Sequence, residues 1–232
     1  AALVGRAVRW MPALLLLALC GCAYFNTFYN AKKQFGKAEE ERLGATARQG
    51  QIPAAATTTG APLLGPGADS YQKCIDKCQL LLRYYPKSKY VDDALYLIGM
   101  SRFYRNEHVQ SRAAFEELEM RFPKSEYIER SYYYSGLAAL LQGDEVAAAE
   151  SFGKLLVAYP DSKLNVEAVF RGAEARLDAR DFEAARAALR AFMQDHAKSP
   201  LVTDAQMRLA RTYYEEGRYA EARVEYERAL GM

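Results

Sequence analysis

The 232-residue chain is 50% hydrophobic, 26% charged and 12% aromatic, the composition of an ordered globular protein rather than a disordered one. A formal net charge of +2 gives no bulk electrostatic reason to bind nucleic acid. With only 2 His, a histidine-based catalytic or metal centre is not expected, whereas 17 Tyr point to packing and aromatic surface.

Residues 1–21 read as a targeting segment. Arg6 and Arg9 precede the apolar run Met11 to Leu19, a basic n-region followed by an h-region of signal-peptide length. An uncleaved membrane anchor is the alternative, but a spanning helix needs roughly 20 apolar residues and polar Asn26, Thr27 and Asn30 soon follow. Leu19-Cys20-Gly21-Cys22 resembles the lipobox of bacterial lipoproteins, with small Gly21 before the cut and Cys22 as the acylated residue. Cys20 would put Leu19 at the cleavage position, where a large side chain is a poor fit. An ordinary signal peptide that contains Cys remains the other reading. Ala23, rather than Asp, follows Cys22, and the sorting rule that comes with this resemblance then favours the outer membrane. Loss of Arg6 and Arg9 takes the charge from +2 to 0, so no polybasic lipid-binding tract is expected.

In 22–43, Phe28, Ala31, Phe35 and Ala38 recur at steps of three and four, which predicts an amphipathic helix over about 25–43. Residues 44–69 are rich in Gly, Ala, Thr and Pro, with only Arg48 and Asp69 charged, and read as a flexible linker or loop.

From residue 70 to 232 a repeat organises the chain. Tyr85-Pro86-Lys87-Ser88, Phe122-Pro123-Lys124-Ser125, Tyr159-Pro160-Asp161-Ser162 and His196-Ala197-Lys198-Ser199 are spaced 37 residues apart. Units then run 89–125, 126–162, 163–199 and 200–232, the last one short of a full period. Small residues recur in the columns Ala94, Ser131, Ala168, Ala205 and Gly99, Gly136, Ala173, Ala210, and again at Ser111, Ala148, Ala185, Ala222. Phe115, Phe152, Leu189 and Tyr226 form a bulky column. Asn106, Gly143 and Gly217 share a column that divides each unit into two helices, while the third unit has Arg180 there and a less marked turn. The Ser that closes each quartet is the expected N-cap of the next helix, with Pro200 at a first helical position. In the first full unit the helices should span roughly 90–104 and 108–121. One period upstream, 69–88 reads as the second helix of an earlier unit, whose first helix is the one at 25–43, displaced by the inserted 44–69 stretch. An independent stalk is the alternative for that first helix.

This helix–turn–helix pattern resembles the tetratricopeptide repeat, whose usual period is 34. The Trp early in that family's first helix is absent, its places being held by Leu95, Tyr132, Val169 and Gln206. The fold class is therefore all-α, a tetratricopeptide-type solenoid of helical hairpins with about five repeats, the first one split. A repeat array also needs a polar cap, and the short fourth unit leads us to expect further chain after Met232.

Chemistry-bearing motifs are weak. Cys74 and Cys78 have no second pair or nearby His to complete a metal site, and a disulfide between residues four apart on one helix is awkward, so they read as buried thiols. Glu39-Glu40-Glu41 reads as a solvated run, and His108 and His196 as surface or packing residues. No phosphate-binding loop, H-x-x-x-H or nucleophile elbow occurs, and neither enzyme activity nor a cofactor or metal is expected. The resemblance to stacked helix pairs implies a partner-binding groove along the first helix of each unit. We expect Met100, Leu137, Glu174 and Arg211 to line it, preceded by Tyr96, Tyr133, Phe170 and Met207 and followed by Phe103, Leu140, Leu177 and Tyr214. The alternative is that these rings only pack between helices.

The lipobox, the run Tyr24 to Lys33 and the stretch Tyr85 to Ala94 together resemble BamD-type tetratricopeptide lipoproteins of the outer-membrane β-barrel assembly machinery, over Cys22 to Met232. That resemblance implies a lipid-anchored periplasmic scaffold at the outer membrane, holding the barrel subunit and unfolded outer-membrane proteins. A tetratricopeptide adaptor of another envelope system, in cell division, peptidoglycan coordination or pilus assembly, is the competing expectation.

Overall fold

A computed structural model of the chain describes residues 25–45 and 65–231. The leader, Cys22, most of the 44–69 insertion and Met232 lie outside the described residues. The rest is helical and falls into two compact units that meet in sequence at Tyr127 and Ile128.

The first unit holds α1 (25–45), α2 (Ala68–Tyr84), α3 (Val91–Tyr104) and α4 (His108–Arg121). Phe28, Ala31 and Ala38 of the predicted stripe are buried in α1, and Phe35 is half-buried. Tyr71 of α2 lies 5.7 Å from the Phe35 ring and 5.4 Å from that of Tyr104 in α3. Its hydroxyl donates to Glu39, which Arg42 also holds at 2.6 Å. Burial, with the Glu39 carboxylate second, keeps the Tyr71 phenol protonated well above the ordinary tyrosine range.

Phe28 stacks on Tyr90 at 4.4 Å, and the Arg42 guanidinium sits 4.3 Å over Tyr104. Both partners lie 62 residues further on, so α1 and α3 run side by side and parallel. The equivalent contact one period on, Tyr96 stacked on Tyr127 at 4.4 Å, spans 31 residues. The longer span is the register of a first helix displaced by an inserted stretch rather larger than 44–69. Cys74 and Cys78 are both fully buried and unbridged.

The second unit holds three hairpins: α5 (Ile128–Leu140) with α6 (Glu145–Ala158), α7 (Leu164–Asp178) with α8 (Phe182–Asp195), and α9 (Val202–Glu215) with α10 (Tyr219–Leu230). Each hairpin packs on the next, and α5, α7 and α9 lie beside one another. The core is built from Tyr133, Phe152 and Leu155 at one end and Phe170, Leu189, Phe192 and Leu209 at the other.

The 37-residue period has a direct structural expression. Helices α4, α6, α8 and α10 begin at His108, Glu145, Phe182 and Tyr219, each one period after the last. Within each hairpin the turn closes in the same way. Asn106, Gly143, Arg180 and Gly217 all adopt positive φ, at 60°, 71°, 63° and 82°. The next residue's N–H returns to a carbonyl five residues back, as from Glu107 to Arg102 and from Asp181 to Arg176. The third turn is thus as regular as the others, although Arg180 bears a Cβ that disfavours this conformation by about 1–2 kcal/mol. Asp144 and Asp181 then cap α6 and α8, accepting from the N–H groups of Ala147 and Ala184.

The small and bulky columns meet. A Cβ at Gly99 would come within 3.0 Å of the Phe115 ring, and one at Gly136 equally close to Phe152. Where the repeat has Ala173 the bulky column holds Leu189, while Ala210 is matched with the ring of Tyr226. At Gly99 and Gly136 the missing side chain lets the Phe ring lie against the helix backbone.

The quartet serines differ from the expectation. Helices α3, α7 and α9 start two or three residues after the serine, and their N-caps are Tyr90, Lys163 and Leu201. Each serine instead closes a turn ahead of the helix, accepting from the N–H two residues on: Tyr90, Tyr127, Leu164 and Leu201. Pro200 lies in that turn, not at a first helical position. The hydroxyls also reach back one repeat, Ser125 donating to Asp92 at 2.9 Å and Ser162 to Glu129 at 2.5 Å.

Candidate partner-binding face

The groove-lining residues expected from the sequence separate into three groups. Tyr96, Met100, Tyr133, Phe170 and Leu177 are buried. Tyr96 and Tyr133 each lie 6.2 Å from the ring of their own hairpin's Phe115 or Phe152, and Phe170 lies 5.5 Å from Phe192. These side chains join the two helices of a hairpin and do not line an open surface. Phe103 and Leu140 are half-buried, with Phe103 edge-on to Tyr104 and His108 beside the turn. Leu137, Glu174 and Arg211 are half-buried, whereas Met207 and Tyr214 are 47% and 57% exposed.

On α7 the accessible stripe is rotated by one residue, from Phe170 and Leu177 to Arg171 and Asp178, whereas on α9 the expected Met207 and Tyr214 are themselves exposed. The α7 stripe comprises Glu167, Arg171, Glu174 and Asp178, steps of four, three and four, so all lie on one helix face. The matching positions are Arg208, Arg211 and Glu215 on α9, and Tyr134, Leu137 and Leu141 on and just after α5. Of these, only Leu137, Glu174 and Arg211 were expected; Tyr134, Leu141, Glu167, Arg171, Asp178, Arg208 and Glu215 were not. The alternating acid–base pattern along 167–178 is the sequence signal that marks those on α7.

Ion pairs tie this face together. Arg171 bridges Glu167 at 3.3 Å and Glu174 at 2.8 Å, and Glu174 also receives Arg208 of α9 at 2.7 Å. Arg211 pairs with Asp178 at 3.7 Å and Glu215 at 2.6 Å. Burial pushes the Asp178 carboxyl above its ordinary value, and the Arg211 charge opposes that. At the α5 side, burial and the Glu167 carboxylate push the Tyr133 phenol above the ordinary tyrosine range. The face is therefore polar and internally compensated, with Met207 and Tyr214 as its exposed apolar side chains. A ligand that docks here exchanges existing ion pairs for its own and gains apolar area from those two side chains. In the first unit the same columns are Leu97, Met100 and Tyr104, buried or half-buried, so the accessible polar face belongs to the second unit.

Burial lowers the pKa of His108, which packs on Phe103, and His196 lies 5.2 Å from the Phe192 ring. Among the described residues no group of three His, Cys, Asp or Glu side chains could hold a metal ion. No helix among them is long and apolar enough to cross a membrane.

Models of the tetratricopeptide repeat match residues 93–125, 130–162 and 170–231. This chain carries tetratricopeptide repeats. No curated protein sequence matches it. Among solved structures it is similar to MamA, with a TM-score of 0.57 and 12% identity over 87% of this chain and 91% of that one. A second MamA structure, from AMB-1, gives 0.55 and 13% over 90% and 92%. A putative kinesin light chain of Podosopora anserina, with nearly identical tetratricopeptide-like repeats, gives 0.61 and 12% over 88% and 95%. At such identities these likenesses establish the all-α repeat fold. The repeat class is one of protein-interaction scaffolds rather than of catalytic domains.

Proposed function

We propose that this tetratricopeptide protein is a lipid-anchored periplasmic scaffold of the outer membrane that holds protein partners on the α5–α7–α9 face, in the assembly of outer-membrane β-barrel proteins. The observation that carries the scaffold reading is that face: the adjacent first helices α7 and α9 present two ion-pair networks, Glu167–Arg171–Glu174–Arg208 and Asp178–Arg211–Glu215, beside α5. The anchor reading rests on Leu19-Cys20-Gly21-Cys22, and the assembly reading on the BamD-type resemblance of Cys22 to Met232. An adaptor in another envelope system uses the same face with a different partner.

Affinity purification from detergent-solubilised membranes separates these readings. Recovery of a large β-barrel with periplasmic domains, lost when Glu174→Arg and Arg208→Glu are each introduced alone, supports the assembly role. Recovery of a division, peptidoglycan or pilus complex instead overturns it in favour of the adaptor. For the anchor, Cys22→Ala should abolish labelling by an acyl analogue, and unchanged labelling would refute the assignment of Cys22.

A further inference from the structure

The start of α1 carries apolar rings that the protein core does not use. Phe25 and Tyr29 are 53% and 57% exposed and stack on each other at 6.3 Å. Phe25 also lies 6.4 Å from Tyr90, the residue that opens α3, and Phe28 beneath them stacks on the same ring. This end of the first unit is also where α2 finishes, at Tyr84, which is 64% exposed. A shallow hollow runs along the link from Tyr84 to Lys89.

Basic groups frame these rings. Lys32 sits over the Phe28 ring at 5.8 Å and Lys89 over Tyr90 at 5.1 Å, and Lys33 and Lys87 are exposed beside them. The neighbouring acids are drawn inward: Asp92 accepts from Ser125 and Asp93 from Tyr127. Glu126, near Asp93, is the acid that stays exposed at this end, so the outward-facing set is aromatic and mainly cationic. Aromatic rings flanked by lysines are the chemistry of the bilayer interface, with rings at headgroup depth and ammonium groups on phosphates. Position in the chain adds a second argument. Phe25 follows Cys22 by three residues, and three residues span at most about 11 Å.

We infer that Phe25, Tyr29 and Tyr84, with Lys32 and Lys89, form a membrane-contact surface that seats the first unit on a phospholipid headgroup layer beside the acyl anchor. The inference deepens the lipid-anchor reading and rests on it for the proximity of Cys22. Its effect is orientational: a single tether leaves the unit free to tumble, whereas a second contact fixes which end faces the membrane.

The test uses the full chain, expressed and processed in its host and reconstituted into vesicles of phosphatidylethanolamine and phosphatidylglycerol. Trp10 is the sequence's one Trp, so Trp10→Phe is combined with Phe25→Trp, or with Tyr219→Trp as an exposed control in the second unit. Phe25→Trp should be quenched by brominated phospholipids at least twofold more than Tyr219→Trp and be correspondingly shielded from acrylamide. Lys32→Glu with Lys89→Glu should remove most of that difference. Flotation and the mass of the N-terminal peptide report the anchor separately. An acylated, floating protein in which the two reporters are quenched alike overturns the contact surface and leaves the anchor standing. An unacylated protein that neither floats nor protects Phe25→Trp overturns both.

Discussion

Changing Gly99 to Ala should have opposite effects on stability depending on what stands at position 115. In a helix interior Ala is favoured over Gly by about 1 kcal/mol. At Gly99 that gain meets a ring: the new Cβ would lie within 3.0 Å of Phe115, which is 2% exposed and cannot retreat. Overpacking of this kind costs about 1–3 kcal/mol. The Gly99→Ala variant should therefore range from neutral to about 2 kcal/mol less stable, the balance of those two terms. Phe115→Leu alone should cost on the order of 1–2 kcal/mol through lost contact. In that background the ring is gone, the pair becomes the Ala173–Leu189 combination of the third repeat, and Gly99→Ala should recover about 1 kcal/mol. The coupling between the sites is then about 1–3 kcal/mol, within the range seen for residues in contact. Gly172→Ala in α7 is the control, because a Cβ there meets nothing within 4 Å, and it should stabilise by about 1 kcal/mol. Urea denaturation followed by circular dichroism, with amide exchange in α3, measures all four variants. Equal effects of Gly99→Ala in the parent protein and in the Phe115→Leu background would refute the argument that the ring excludes the methyl.

The other expectations are simpler. Arg180→Gly should raise stability by roughly 1 kcal/mol by relieving a positive φ of 63° at a residue with a Cβ, and a thermal midpoint no higher than that of the parent would count against it. Asp144→Ala and Asp181→Ala should each cost about 1 kcal/mol in urea denaturation through a lost helix cap, whereas Asp→Asn at either site should cost much less. Tyr96→Ala and Tyr133→Ala should each cost about 3–5 kcal/mol as buried rings, and a loss within about 0.5 kcal/mol would return them to the surface. Tyr71 and Tyr133 have phenols held above the ordinary value of 10.0, so their contribution to stability is complete below pH 10 and declines as pH rises further. Ultraviolet titration of the folded protein should accordingly show tyrosines that ionise late, a lag that Tyr133→Phe reduces.

Much of the architecture is carried by local pattern. The period of 37, the start of each second helix and the close pairing of Gly99 with Phe115 and of Gly136 with Phe152 all follow from residues whose local demands repeat. A small residue opposite a ring, or a turn that needs a left-handed residue, makes its requirement within one hairpin. Arg180 shows the limit of that logic: its sequence argues for a weaker turn, yet the return bond from Asp181 to Arg176 holds it in the common geometry. The quartet serines show another. Their type predicts a cap, but only the packed neighbour reveals that the hydroxyl binds Asp92 or Glu129 one repeat back.

The orientation of the first helices was decided by tertiary packing alone. From Val91 to Ser101 every residue except Asp92 and Asp93 is buried, so α3 carries no one-sided apolar stripe from which an open face can be read. A first helix packs on its own partner and on neighbours to either side, which leaves a strip of surface only a few residues wide. Adjacent residues on a helix differ by about 100° around its axis. Placing the strip on Tyr133 and Phe170 rather than on Tyr134 and Arg171 is therefore an error of one residue in sequence, and the difference between a hairpin's core and its accessible face.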